Sequence, residues 1–295
     1  MSLFSLLGAL EIGLIFSLVA LGVLISFRLL RFPDLTVDGS FPLGGAVCAI
    51  LISTGTNPWL ATLAATAAGA VAGLLTGWLN VRLKIMDLLA SILMMIALYS
   101  VNLRIMGGPN VPLINDPTLF TLLQPESIAD YVARPMILFV VVLLAKLLLD
   151  WFFATERGLA IRATGSNARM ARAQGINTGA MVLLGMAISN ALVGLAGALF
   201  AQTQGGSDIS MGIGTIVIGL AAVIVGESIL PSRRIVWATL AVVVGAIVYR
   251  FFIAAALNSD FIGLKAQDLN LVTAVLVTVA LVIPQLKRKL GNRKG

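Results

Sequence analysis

Apolar residues in this chain come in long blocks parted by short polar ones. A helix needs about 20 apolar residues to cross the hydrocarbon core of a bilayer. By that measure the pattern predicts spans at roughly 4–27, 41–55, 58–80, 87–105, 135–153, 179–203, 211–230, 234–256 and 269–286. The expected architecture is an all-α polytopic membrane protein with about nine transmembrane helices, within a range of about eight to ten. The second block is short. It follows "FPDLTVDGSFPLGG", where prolines, aspartates and glycines crowd together, so the segment is expected to be broken or re-entrant. Backbone of that kind survives at membrane depth only against protein or a wet cavity.

Composition agrees with the pattern. Hydrophobic residues make up 59% of the 295 positions, charged residues 11%, and mean hydropathy is +1.02. A globular domain carries about a quarter charged residues, so a water-soluble fold would lack polar surface. The net charge of +7 lies between the apolar blocks and at the C-terminus, the arrangement that holds loops in the cytoplasm; no nucleic-acid partner is implied. Arg28 and Arg31 follow the first block, Arg82 and Lys84 the third, Arg233 and Arg234 the seventh, and "KRKLGNRKG" at 287–295 the ninth. A basic insert follows the fifth. The N-terminus is therefore expected outside and the basic C-terminal tail in the cytoplasm of a bacterial inner membrane. The stretch "MSLFSLLGALEIG" has no basic n-region, which makes the first block an expected permanent helix.

The candidate chemistry is sparse. Cys48 is the single cysteine and histidine is absent, so neither a disulfide framework nor a His-based metal or acid–base site is available. No G-x-x-x-x-G-K-[ST] occurs, and any ATP is expected on another chain. Small residues recur at helical spacing: Gly69, Gly73 and Gly77; Ala187, Ala191, Gly194 and Ala198; Gly219, Ala222 and Gly226. Such faces let helices approach closely in lipid. Charges inside spans are costly. Lys146 and Asp150 are spaced to pair on one helix face, while Asp87 and Glu227 fall near span ends within reach of headgroups. Asp34 belongs to the broken segment. Glu11, Asp38, Asn102 and Asn190 remain as candidates for a translocation path, with interhelical hydrogen bonding sufficient to explain the two asparagines.

The basic insert is "ERGLAIRATGSNARMARAQGINTGAM", from Glu156 to Met181. A first short helix is expected to stop at Gly165. Ser166 would cap a second, Gly175 would close it with positive φ, and Asn177 or Thr178 would cap the next span. Orientation needs only a few positive charges, so an ordered, capped hairpin is better explained as a docking surface for a soluble partner.

The pattern Gly158-x-x-x-Arg162-Ala163-x-Gly165-x-Asn167-x-x-x-Ala171-x-x-x-Gly175-Ile176 resembles the cytoplasmic coupling segment of ABC-importer permeases of the branched-chain amino acid and ribose type. "LLGMAISNALVGLAGALFAQTQG", "FPDLTVDGSFPLGGAV" and "DISMGIGTIVIGLAAVIVGE" are similar to other segments of that family, most of all to an uncharacterised subgroup associated with amino-acid uptake. The resemblance implies one transmembrane permease domain over 1–295 with a coupling segment at 154–178. It implies an ABC ATPase subunit docking on Arg157, Gly158, Arg162, Gly165, Asn167, Arg169 and Gly175. It also implies an extracytoplasmic solute-binding protein, a second permease copy or a homologue beside this one, and no cofactor on this chain. One departure bears on the solute: two aspartates stand in "FPDLTVDGSFP" where amino-acid permeases of this type carry an Asn-Phe-Ala-His-Gly-like run. The alternative function is an ion-coupled secondary transporter, for which the deep charges are few and unpaired and no inverted repeat is evident.

Overall fold

The computed structural model describes residues 3–257 except 115, 125–128 and 233, together with 275 and 278. Helix α1 (Leu3–Val23) runs into a π-helical turn, Leu24–Leu29, and is followed by α2 (Val37–Ser53), α3 (Pro58–Leu83) and α4 (Asp87–Met106). Strand β1 (Asn110–Pro112), the short α5 (Leu119–Leu123) and α6 (Asp130–Ala154) come next. Two short helices, α7 (Glu156–Ser166) and α8 (Ala168–Ala173), lead to α9 (Thr178–Gln204). Strand β2 (Gly206–Asp208), a 3-10 turn (Ile209–Gly212), α10 (Thr215–Ile229) and α11 (Ile235–Leu257) complete the described order.

Among the described residues, seven helices are long and apolar enough to cross a membrane. They coincide with seven of the expected spans to within a few residues. The expected span at 269–286 and the tail at 287–295 lie outside the described residues. The short second block corresponds to the 17-residue α2, which at 1.5 Å per residue is about 25 Å long, short of a full crossing.

The two ends of the bundle are chemically distinct. At one end Leu29 and Leu30 lie against Gly165, Val81 lies against Gly179, and Arg28 Nε donates to Glu227 Oε1 at 2.8 Å. This end carries Arg82, Lys84 and the α7–α8 insert, and is the basic end. At the other, β1 pairs antiparallel with β2, Leu119 N donates to Gln202 Oε1 at 2.9 Å, and Arg134 reaches Thr203 O. Glu227, expected near a span end within reach of headgroups, remains partly exposed there and also gains Arg28 of the π-helical turn as a partner. Lys146 and Asp150 pair at 2.5 Å, as their spacing predicted.

The core is a glycine-mediated stack. The most extensive helix contact is α3 on α9. A Cβ on Gly73 would stand 2.1 Å from Met186 O, and one on Gly69 2.3 Å from Asn190 O, so the two backbones touch without intervening side chains. On the opposite side α2 enters α9 the same way, with Gly44 against Gly194 and Gly197 against Phe41. Gly226 and Gly245 likewise join α10 to α11 through Ala241 and Ala222. In lipid apolar side chains gain little by mutual burial, and this close van der Waals contact holds the helices together instead. Phe16, Phe41 and Phe200 fill the seam between α1, α2 and α9 with centroids 5.5–6.2 Å apart.

Candidate functional site

Two breaks in the helical backbone meet near the middle of the bundle. The first lies between the π turn and α2. Residues 31–34 are non-helical, and Arg31 adopts φ 57° as the chain turns back inward from the basic end. Asp34 is 1% exposed; its Oδ1 accepts from Thr36 N at 2.9 Å and its Oδ2 from Asn190 Nδ2 at 2.8 Å. Asn190 Oδ1 in turn accepts from Ser40 Oγ at 2.7 Å, and the Thr36 and Thr76 hydroxyls share a 2.9 Å bond. These contacts fasten the start of α2 to α9 and α3. Asn190 is thus fully engaged within the protein.

Removing it should be costly. The Asn190→Leu variant leaves Asp34 and Ser40 without their partner, at about 3 kcal/mol for a buried polar network. The expected outcome is a clear drop in the melting temperature of the detergent-purified protein, followed by fluorescence size-exclusion. A change under about 2 °C would contradict the role given to this network.

The second break lies between β2 and α10. Asp208 accepts from Ser210 N at 2.7 Å and from the Ser210 hydroxyl, and these bonds hold its carboxyl below the usual range. The chain then passes Gly214, at φ 81°, into α10. The cap of α10 comes from the other break: Asp38 Oδ2 accepts from Gly214 N at 3.2 Å and Oδ1 from Ile216 N at 2.8 Å. A carboxylate on a helix N-terminus is favourable because it meets unpaired N–H groups and the positive end of the dipole. Pro42 has no N–H to bond the Asp38 carbonyl, and Gly212 packs directly over that oxygen. From Ile216 to Glu227 is about 16 Å along α10 at 1.5 Å per residue, so Asp38 sits well inside the bundle.

Beside Asp38 opens a cavity of about 460 Å³ between α2, α4 and the 3-10 turn. Its floor is Asp38, Gly39 and Asn102; Pro42, Met95 and Ile209 form walls, and Ile96, Tyr99 and Ile213 stand exposed at the mouth. Asn102 is 0% exposed and its Nδ2 donates to Gly39 O at 3.1 Å. Its Oδ1 has no hydrogen-bond partner among the described residues. Of the four candidates for a path, the fold therefore brings Asp38 and Asn102 to one cavity. It places Asn190 in the neighbouring network. Glu11 lies apart, half-buried on α1, with Arg134 of α6 as its opposing charge.

The basic insert is ordered. Thr155 caps α7, accepting from Gly158 N at 3.4 Å; Asn167 caps α8, accepting from Arg169 N and Met170 N at 3.1 Å; Asn177 caps α9, accepting from Ala180 N at 3.1 Å. Gly175 has φ 82°, as expected. Two local details differ from expectation. The first helix passes through Gly165 and ends at Ser166, and the cap of the second is Asn167 rather than Ser166. Gly165 is retained inside the helix by contact: a Cβ there would strike Leu29 O. Gly158 meets Phe152 and Phe153 in the same way, and Ile161 is 0% exposed. The insert is thus packed against the π turn and the ends of α6 and α9, while Arg157, Arg169 and Arg172 remain exposed and Arg162 half-buried. A shallow groove of about 520 Å³ runs between Glu156, Arg157, Leu159, Ile176 and Met181.

Sequence reasoning passed over Thr36, Ser40 and Thr76, single hydroxyls in apolar runs with no spacing signal. It also missed Gln202, whose Nε2 donates to Thr62 Oγ1 at 2.9 Å and whose Oε1 anchors α5. Arg250 was likewise missed; its guanidinium lies 6.0 Å from the Phe16 ring centroid within α11's packing on α1.

A bundle of membrane-length helices with a break before a short second helix and a fastened basic hairpin has known relatives. Residues 5–283 match the family model described as the permease component of the branched-chain amino acid transport system. The chain belongs to that permease family. It is 40% identical over 265 residues to a tyrosine transport system permease protein of Clostridioides difficile (strain R20291), covering 90% of this chain and 86% of the relative. A galactofuranose transporter permease of Escherichia coli (strain K12) is 28% identical, covering 89% and 74%. The ribose import permease of the same strain is 25% identical, covering 86% and 78%. Among solved structures, a metal-chelate-type ABC transporter in an inward-facing conformation shares the fold, with TM-score 0.50 and 14% identity over 97% of this chain and 87% of that one. The permease is therefore the multi-pass membrane subunit of an ATP-binding-cassette importer and not an enzyme. Membership of this family implies a separate ATPase and a solute-binding protein.

Proposed function

We propose that the permease carries an amino acid, most specifically one with an apolar or aromatic side chain, into the cytoplasm of a bacterium. The observation that carries this reading is the likeness over 90% of the chain to a tyrosine-system permease. The basic end faces the cytoplasm of the inner membrane, in accord with the positive-inside rule, and the C-terminus lies there too. The ATPase docks on α7 and α8 through Arg157, Arg162 and Arg169, with Gly158, Gly165, Asn167 and Gly175 shaping the hairpin. Support comes from its mixture of exposed arginines and close backbone contacts: a push on α7 reaches Leu29 at the end of the π turn and Phe153 at the end of α6 without an intervening loop. Two permease copies enclose the path, and a binding protein delivers the solute at the opposite end, beside the β1–β2 pair. The chain itself holds no cofactor.

Proteoliposomes containing the permease with its ATPase and binding protein test this reading. ATP-dependent uptake of L-tyrosine, absent when the ATPase is omitted, is the expected result. Uptake by the permease alone under an ion gradient would overturn it in favour of a secondary transporter.

A further inference from the structure

The floor of the cavity between α2, α4 and the 3-10 turn consists of acceptors. Each oxygen of Asp38 takes one backbone N–H and retains a lone pair directed elsewhere. The Asn102 oxygen takes none among the described residues, although the side chain is wholly buried. Exchanging its amide oxygen and nitrogen gives no relief, because the oxygen would then face Gly39 O, 3.1 Å from the present nitrogen. A buried carbonyl left empty costs about 1–3 kcal/mol, and such a group at a cavity floor marks a place for a donor. Among the described residues no lysine or arginine lines the cavity. An anion would meet only repulsion at this floor. A bare metal ion would find too few oxygens, and no cluster of three metal-ligating side chains occurs among the described residues.

The walls select the rest of the ligand. Met95, Ile209 and Pro42 are apolar, and Tyr99 offers a ring face beside them. A volume of about 460 Å³ is in the range of small-molecule sites. Tyr99 and Ser100, both exposed members of the lining, carry hydroxyls able to donate.

We infer that this cavity is a transport subsite that takes the ammonium group of an apolar or aromatic amino acid on Asp38 and Asn102, with its side chain against Met95, Ile209 and Tyr99. The inference rests on the amino-acid reading above and names the atoms that would enforce it. It also gives the pair of breaks a joint role: the same carboxylate that caps α10 contacts the solute, so occupancy and the seating of α10 on α2 are coupled through Asp38.

The test uses the full-length permease with its ATPase in lipid nanodiscs, without binding protein, and saturation-transfer NMR, which detects weak ligands. The probes are L-tyrosine, tyramine, which lacks the carboxylate, and 3-(4-hydroxyphenyl)propanoate, which lacks the ammonium. L-Tyrosine and tyramine are expected to receive saturation, and the propanoate is not. Asn102→Leu should weaken L-tyrosine binding about tenfold, the worth of one hydrogen bond to a charged group. Ile213→Trp narrows the mouth from a position that is 72% exposed, so it should block binding while the complex stays monodisperse. Equal binding of the propanoate, or unchanged affinity in both variants, overturns the subsite. ATP-driven L-tyrosine uptake by a complex whose permease shows no such binding overturns the subsite alone. Absence of both binding and ATP-driven uptake overturns the amino-acid reading beneath it.

Discussion

The Gly73→Leu permease is expected to melt about 10 °C below the parent protein and to be recovered in poor yield. The reason is geometric. Even the Cβ of the new side chain would stand 2.1 Å from Met186 O and 2.8 Å from the Asn190 Cβ, and the first of these is backbone. No rotamer relieves a clash of Cβ with a carbonyl, so α3 and α9 must separate along their whole contact. Overpacking of a close core costs about 1–3 kcal/mol, and the upper end applies where backbone meets backbone. The separation also disturbs Asn190, and with it Asp34 and the start of α2. Gly8→Ala is the control. Nothing lies within 4 Å of a Cβ at that position, so the change should be neutral or slightly stabilising through helix propensity. Thermal unfolding monitored by size-exclusion separates the two. Similar melting temperatures for the two variants would contradict the glycine-mediated stack.

The second large effect falls on the basic hairpin. The double variant Arg162→Glu, Arg169→Glu is expected to lose ATPase from the purified complex by at least about tenfold, and ATP-driven uptake with it. Like charges placed against a complementary surface cost several kcal/mol. Neither arginine forms an ion pair among the described residues, so the permease fold should persist. The contrast with Gly73→Leu is diagnostic: one variant loses its melting temperature, the other keeps it and loses its partner. A folded double variant that retains full ATPase would place the docking surface elsewhere.

The membrane spans were legible because a bilayer imposes length and composition on each of them independently. Seven blocks matched to within a few residues without any knowledge of packing. The break before α2 was legible for a similar reason, since Pro33 and Pro42 cannot both be accommodated in an uninterrupted helix. What it does was not legible. Asp38 caps a helix almost 180 positions further along the chain, and no local pattern announces a partner at Gly214 and Ile216. Glycines were legible as a class but not by task. Gly165 reads as a helix stop, yet it lies within α7 because Leu29 O occupies the space a side chain would need. The polar candidates divided in the same way: Asn102 and Asn190 look alike in sequence, both lone amides in apolar helices. Only the tertiary arrangement distinguishes the one with a vacant oxygen at a cavity from the one with every partner in place.

Entry of ATP-driven force into this permease through α7 and α8 is open to a test by site-specific cross-linking. Cys48 is buried, so the native chain is close to silent towards membrane-impermeant thiol reagents. Single cysteines introduced by Leu159→Cys and Met170→Cys occupy exposed positions on the two short helices; Ile114→Cys, 82% exposed, reports on the opposite, β1–β2 end. The permease–ATPase complex should cross-link to the ATPase through positions 159 and 170, with yields that change on ATP addition, and not through 114. Cross-linking to the ATPase at 114 with none at 159 or 170 would rule out docking on α7 and α8.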